Sequence, residues 1–373
     1  MIHPQQIELA NLLVSHSVAL KKGEKCLIQS HDVPEEMVEA LIDAVYAAGA
    51  YPVLDYRLTR LHRAILKGAD KESLSILAET EAYRMKKMNA FIGIRGYDNP
   101  KENSDLPEAR SKLEMTCLMK PVHHEIRVPK TKWVVLRYPT PGMAAMAGSS
   151  TRSFEEFYFS VSTGVDYAAM AKAMEPAKEF LEQARNVHIT GPDTDLTFSI
   201  ESVPVIPCFG ERNIPDGEIF TAPVRDSVEG TIRYNAPSSF FGHTYRDIRF
   251  TFAKGKIVEA SADNTEKLNA ILDTDDGSRY IGEFALGCNP RIIEPMDEIL
   301  FDEKIAGSFH FTPGSAYTEA DNGNRSAVHW DLVCIQRPEY GGGTIEMDGQ
   351  LIRKDGIFVH PAFTALNPEH LTR

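Results

Sequence analysis

Several features that would announce a function are missing from this 373-residue chain. It has five cysteines, Cys26, Cys117, Cys208, Cys288 and Cys334, odd in number, scattered and without a CxxC pair. That argues against a disulfide framework or a thiolate metal site and suits reduced thiols in a cytoplasmic protein. No basic excess exists: 40 Lys and Arg face 53 Asp and Glu, a net charge of −13, which argues against nucleic acid or an anionic membrane as partner. No apolar run approaches the roughly 20 residues that span a bilayer, and the N-terminus MIHPQQIELANLLVSHS lacks the pattern of a secretory signal. The glycine-rich dinucleotide fingerprint and the P-loop are both absent. His124-Glu125 begins like the helical zinc motif, but Val128 stands where its second histidine belongs.

What remains is an ordinary soluble composition, 43% hydrophobic and 25% charged, in a chain long enough for two domains. The first half alternates strands and helices. Cys26–Ile28 is a short apolar run; Pro34 opens a helix with an apolar stripe at Met37, Leu41, Ala44, Val45 and Ala48, and Gly49 closes it before a run from Tyr51 to Tyr56. A βαβ unit requires parallel pairing. Further helices are expected over about 61–85 and 107–119, with strands at 90–94 and 133–138; Pro139–Gly142 and the following MAAMAGSS read as a loop leaving a strand end. From Val187 onward short strand-like runs alternate with turns, including a hairpin at Lys254-Gly255-Lys256, and one helix is expected near 264–272. The expectation is an α/β N-terminal domain with an open, mainly parallel sheet over residues 1–185, then a strand-rich α+β metal-binding catalytic domain over 186–373.

The candidate chemistry lies in that second half. His310, Tyr317, His329 and Asp331 fall within twenty-five residues, in a chain with 12 histidines. If His329-Trp330-Asp331 is a strand, alternation puts His329 and Asp331 on one face roughly 7 Å apart at the backbone, with Trp330 and Leu332 turned into packing. Glu218 and Glu283 each follow a glycine and precede apolar residues, a setting in which a carboxylate is costly unless paired or bound to a cation. Taken singly, each residue has a plain structural explanation: a strand-edge glutamate, a core histidine. Together, three acids and two imidazoles exceed what one open tetrahedral zinc needs and suit two divalent ions sharing a carboxylate. Histidine and carboxylate without thiolate favour zinc, cobalt or manganese over calcium. Asp302-Glu303-Lys304 is a charged turn that could also supply a carboxylate or a lysine close to the ions.

The runs GEIFTAP, GEFALGCNP, FDEKIAGSFHFTPGSAY and NRSAVHWDLV, in this order and spacing, resemble the M29 family of metallo-aminopeptidases, the aminopeptidase T and aminopeptidase S group. Tyr138-Pro139-Thr140 resembles the family's stretch in the first half. The resemblance implies Glu218, Glu283, His310, His329 and Asp331 as metal ligands and Tyr317 at the metal centre, either ligating or stabilising the oxyanion. It implies a catalytic contribution of Glu218 beside Tyr317, a homodimer, and peptides with a free N-terminus as substrates. Thr312-Pro313 stands where the family has an apolar pair, which bears on substrate preference. The expected function is release of N-terminal amino acids by water activated between two ions, with Glu303 or the bridging glutamate as candidate base. Two alternatives remain open at this point: another binuclear hydrolase of phosphoesters or cyclic amides, for which only Lys304 and Arg325 offer nearby anion contacts, and a ligand-binding protein with structural metals.

Overall fold

The computed structural model describes residues 2–97, 99, 102–103, 105–240 and 243–373. The chain separates into two compact units, residues 1–163 with 210–214, and residues 164–209 with 215–373.

The first unit contains the expected parallel sheet. β1 (Lys25–His31), β2 (Tyr51–Arg57), β3 (Ala90–Arg95) and β4 (Lys132–Arg137) run in the order β2-β1-β3-β4, with the short Asn213–Ile214 strand beyond β4. All of these pairings are parallel. β1 and β3 are buried along nearly their whole length, as strands covered on both faces must be. Crossover helices supply the cover. α1 (Pro4–Leu12) precedes the sheet, and α2 (Glu35–Ala47) follows β1, with Glu35 and Glu36 in its first turn where the helix dipole favours acids. α2 buries Met37, Leu41 and Val45, and Gly49 at φ +72° turns the chain into β2. After α3 (Thr59–Gly68), α4 (Lys71–Met85) begins at Asp70, whose side chain accepts from Ser73 N. Leu27, Ala78, Met85, Phe91, Leu118 and Val122 form one apolar cluster between sheet and helices.

The helical stretch expected to end near 119 continues as wider turns from Met115 to Arg127, accommodating Pro121. Residues 141–146 depart from the expected loop: they form a helix, because Thr140 caps it by accepting from Met143 N and Pro141 occupies its first turn. The sheet register also lines up the last residue of each strand, pairing His31 with Arg57 and Arg95, and Arg95 with Arg137.

The second unit is strand-rich. The long helix Tyr167–Gln183, within the residues 1–185 expected to form the first domain, lies in this unit. One eight-stranded antiparallel sheet runs from Lys256–Ser261 through Thr194–Ser199 and Asn186–Gly191 to Ile357–Phe358. Its hairpin turns at Lys254-Gly255, where both residues have positive φ as a two-residue turn requires. A five-stranded antiparallel sheet is ordered Val333–Ile335, Ser308–Pro313, Ile281–Gly287, Glu218–Thr221, Ile206–Cys208. Phe198, Phe284 and Phe311 pack with ring centroids 5.0 to 6.2 Å apart, filling one side of that sheet. No helix among the described residues is long and apolar enough to cross a membrane.

Candidate metal centre

The other face of the five-stranded sheet carries the candidate ligands, and strand alternation explains why. On Ser308–Pro313, Phe309 and Phe311 point into the aromatic core, so His310 and Thr312 stand on the opposite face. Regular pairing would place Gly282 opposite Thr312. A bulge at Gly282 instead pairs Glu283 with Thr312 and so turns its carboxylate to the face of His310. Glu218 pairs with Gly287, which has the same parity as Glu283, and joins that face. The glycine before each acid has a steric reason. A Cβ at Gly282 would lie 2.4 Å from the carbonyl oxygen of Ser315, and one at Gly217 would lie 2.9 Å from Asn289 N.

His329-Trp330-Asp331 departs from the expected strand. Apart from an isolated bridge between Gly314 and His329, this stretch is irregular and pairs regularly only from Val333. His329 and Asp331 nevertheless converge, with Nε2 of the histidine 3.2 Å from Oδ1 of the aspartate. Packing supplies the fixity the ladder does not: Trp330 is buried, stacks on Phe240 at 4.9 Å and donates Nε1–H to Ser238. Leu332 is fully buried, and Cys334 pairs with Phe309 on the face away from the ligands.

The five candidate residues lie in two clusters sharing one member. Donor atoms of Glu218, Glu283 and His310 all fall within 4.8 Å of one another, as do those of Glu283, His329 and Asp331. Glu283 reaches both imidazoles, Oε1 at 3.3 Å from His310 Nε2 and Oε2 at 3.3 Å from His329 Nε2. Each ring is oriented from behind by a backbone carbonyl: His310 Nδ1 donates to Glu303 O (3.1 Å) and His329 Nδ1 donates to Ser315 O (2.8 Å). With Nδ1 carrying the proton, both Nε2 lone pairs face the carboxylates, the usual arrangement of metal-binding histidines. Asp331 is held by Thr312, whose hydroxyl donates to Oδ1 at 2.7 Å.

Electrostatics show that this cluster demands positive charge. Burial opposes protonation of His310, but Glu283 overrides it and pushes that imidazole up to about 10. Burial likewise opposes a charge on His329, and Asp331 and Glu283 push it up to about 12. Burial raises Glu218 to about 8, against the pull of Lys304. Oε2 of Glu218 and Nε2 of His329 are buried without a hydrogen-bond partner. Two orphaned donor atoms, aimed among carboxylates and oriented imidazoles, fit divalent cations. A third cluster, Cys208, Asp216 and Glu218, fits one poorly, because Lys304 already lies 3.7 Å from Asp216 and 3.2 Å from Glu218. Burial also drives the Cys208 thiol well above its usual range, away from the thiolate a metal needs.

Lys304 has no solvent exposure and also pairs with Glu303. Asp216 carries no sequence signal of its own, and Thr312, expected to bear on substrate preference, instead holds Asp331; a polar residue two positions from a candidate ligand on the same strand was the available signal for that role. Tyr317 is half exposed, its ring 4.7 Å from that of His329 and 5.7 Å from Phe220. Arg325 pairs with Asp321 on the surface.

Residues 3–358 match the family model described as thermophilic metalloprotease (M29). Aminopeptidase T of Thermus thermophilus is 27% identical over 398 residues, covering 94% of this chain and 95% of that protein. Aminopeptidase PepS of Streptococcus thermophilus is 26% identical, covering 93% and 94%. The solved structure of wild-type AmpT from Thermus thermophilus superposes with a TM-score of 0.79 at 25% identity, covering 95% of this chain and 99% of that one.

Proposed function

The chain belongs to the M29 family and is a metallo-aminopeptidase, a peptide hydrolase, and from that premise we propose that it releases N-terminal residues with two divalent ions, zinc, cobalt or manganese, held by Glu218, Glu283, His310, His329 and Asp331. The observation that carries this reading is the shared position of Glu283 between the two clusters. Glu218, Glu283 and His310 would hold one ion, and Glu283, His329 and Asp331 the other. When bound, such ions polarise a peptide carbonyl and bring the pKa of water toward neutrality.

The chain's own residues supply orientation and proton transfer. The carbonyls of Glu303 and Ser315 keep both imidazoles in the ligating tautomer. Lys304 counters part of the upward push that burial exerts on Glu218. Tyr317, packed against His329 at the open side of the cluster, donates its hydroxyl proton in a hydrogen bond to the developing oxyanion. Glu303, whose carboxylate is raised first by burial, takes the proton of the attacking water and passes it to the leaving amine. The free α-amine, which a carboxylate-rich site attracts, restricts the enzyme to unblocked peptides. A cytoplasmic location and a homodimeric state belong to the same proposal; five free cysteines support the first and the family resemblance the second.

The test is chelation, then readdition of zinc, cobalt or manganese, assayed on an aminoacyl amide, its N-acetylated form and a phosphoester. Activity is expected to return only on the unblocked amide, with two ions per chain. Glu283→Gln is expected to abolish turnover and lower metal content. Full activity with two ions in that variant, or hydrolysis of the phosphoester alone, overturns the proposal.

A further inference from the structure

The carboxyl edge of the parallel sheet in the first unit carries none of the candidate metal ligands but a row of basic residues. β1, β2, β3 and β4 end in His31, Arg57, Arg95 and Arg137. Because the ladder pairs these residues with one another, four basic side chains are mounted in one row on strands about 4.8 Å apart. Ligands of open parallel sheets bind in the crevice outside this edge. A cavity of ≈ 340 Å³ opens there and is lined by all four residues.

Among the described residues, the acids lining that cavity are already matched. Glu81 lies 2.6 Å from Arg57, whose guanidinium also reaches Asp55 at 2.6 Å; Glu114 lies 2.6 Å from His62; Glu102 lies 4.0 Å from Arg63. Arg95 and Arg137 differ. Among the described residues their guanidinium groups make no hydrogen bond or ion pair, and Arg137 rests over the ring of Tyr97 at 5.3 Å. The buried Nε2 of His31, beside Arg95 in the ladder, also has no hydrogen-bond partner. Burial, then Arg95 and Arg57, push this imidazole down to about 3, so it is neutral at physiological pH. Two guanidinium groups on adjacent strands repel each other, and an oxyanion bridging them removes that repulsion with paired N–H donors.

We propose that this edge binds a small organic anion, its carboxylate or phosphate bridging Arg95 and Arg137 and its body filling the cavity. The volume suits a small metabolite and not a polymer. A pyrophosphate seated on the next helix does not fit, since Glu35 and Glu36 occupy the first turn of α2.

Calorimetric titration of the metal-loaded protein with inorganic phosphate and, separately, succinate, at constant ionic strength in chloride, tests this. At least one probe is expected to bind saturably with a Kd of about 1 mM or below, and the one that binds identifies the headgroup. Arg95→Gln and Arg137→Gln are each expected to weaken that binding at least tenfold, whereas binding at the metal centre survives both changes. Should either variant fail to fold, Arg95→Lys and Arg137→Lys, which keep the charge but lose the paired donors, are expected to weaken it as well. Absence of saturation by either probe up to about 10 mM in the folded protein, or affinity unchanged in the folded variants, overturns the proposal.

Discussion

The ammonium of Lys304 lies 3.2 Å from one oxygen of Glu218, while the other oxygen of that carboxylate is buried without a hydrogen-bond partner. One half of the group is therefore neutralised from behind and the other half faces the cluster. Removing the lysine leaves the buried Asp216 and Glu218 and the half-buried Glu303 without their cation. Lys304→Met is expected to destabilise the second unit by about 3–5 kcal/mol and to lower metal content. Thermal unfolding and elemental analysis check this; a variant with wild-type melting and full metal would contradict it.

Thr312 acts on Asp331 through one hydroxyl bond of 2.7 Å. Thr312→Val keeps the shape and removes only that donor. Metal affinity or turnover is expected to fall about 10–100-fold, with a stability change of only about 1–2 kcal/mol. A loss of stability without any effect on metal binding would show that Thr312 serves packing and not ligand orientation.

Acid sensitivity in the first unit follows from His123. Burial, then Arg127, push its pKa down to about 3, and its Nδ1 accepts a hydrogen bond from Arg127 Nε, which requires a neutral ring. The unfolded chain binds a proton below about 6.5 that the folded chain refuses, so stability is present above that value and is lost as pH falls from about 6.5 toward 3. At pH 5 the loss from this residue is about 2 kcal/mol. His123→Gln is expected to flatten the dependence of the melting temperature between pH 7 and 5; an unchanged slope would assign the effect to other groups.

Gly282 makes the bulge that aims Glu283. Gly282→Ala places a methyl 2.4 Å from the Ser315 carbonyl, the same carbonyl that orients His329. Loss of activity is expected to exceed the fraction of protein unfolded, read from turnover per folded molecule. Activity falling only in step with unfolding would mean that the bulge does not set the ligand geometry.

Much of this molecule is legible in its sequence for local reasons. The stripe of α2, the Lys254-Gly255 turn and the alternation that separates His310 from Phe309 and Phe311 are each written within a few residues. The helix at Pro141–Met146 was missed because Pro-Gly resembles a turn, although Thr140 before a proline is also a start signal. The irregular path of His329–Asp331 is set by Trp330 packing on Phe240, a residue ninety positions away in sequence. Lys304 looked like part of a solvated charged turn, since its three acidic partners include two from a distant segment. The basic row at the sheet edge was invisible for a similar reason. His31, Arg57, Arg95 and Arg137 are each an unremarkable end to an apolar run, and only register aligns them.

The two glycines that precede Glu218 and Glu283 also say where this enzyme can be re-engineered. A library aimed at a new ion preference can vary the acids themselves, because their side chains point toward the other candidate ligands. Positions 217 and 282 must stay fixed in such a library, since any larger residue collides with the main chain before selection can act on the chemistry.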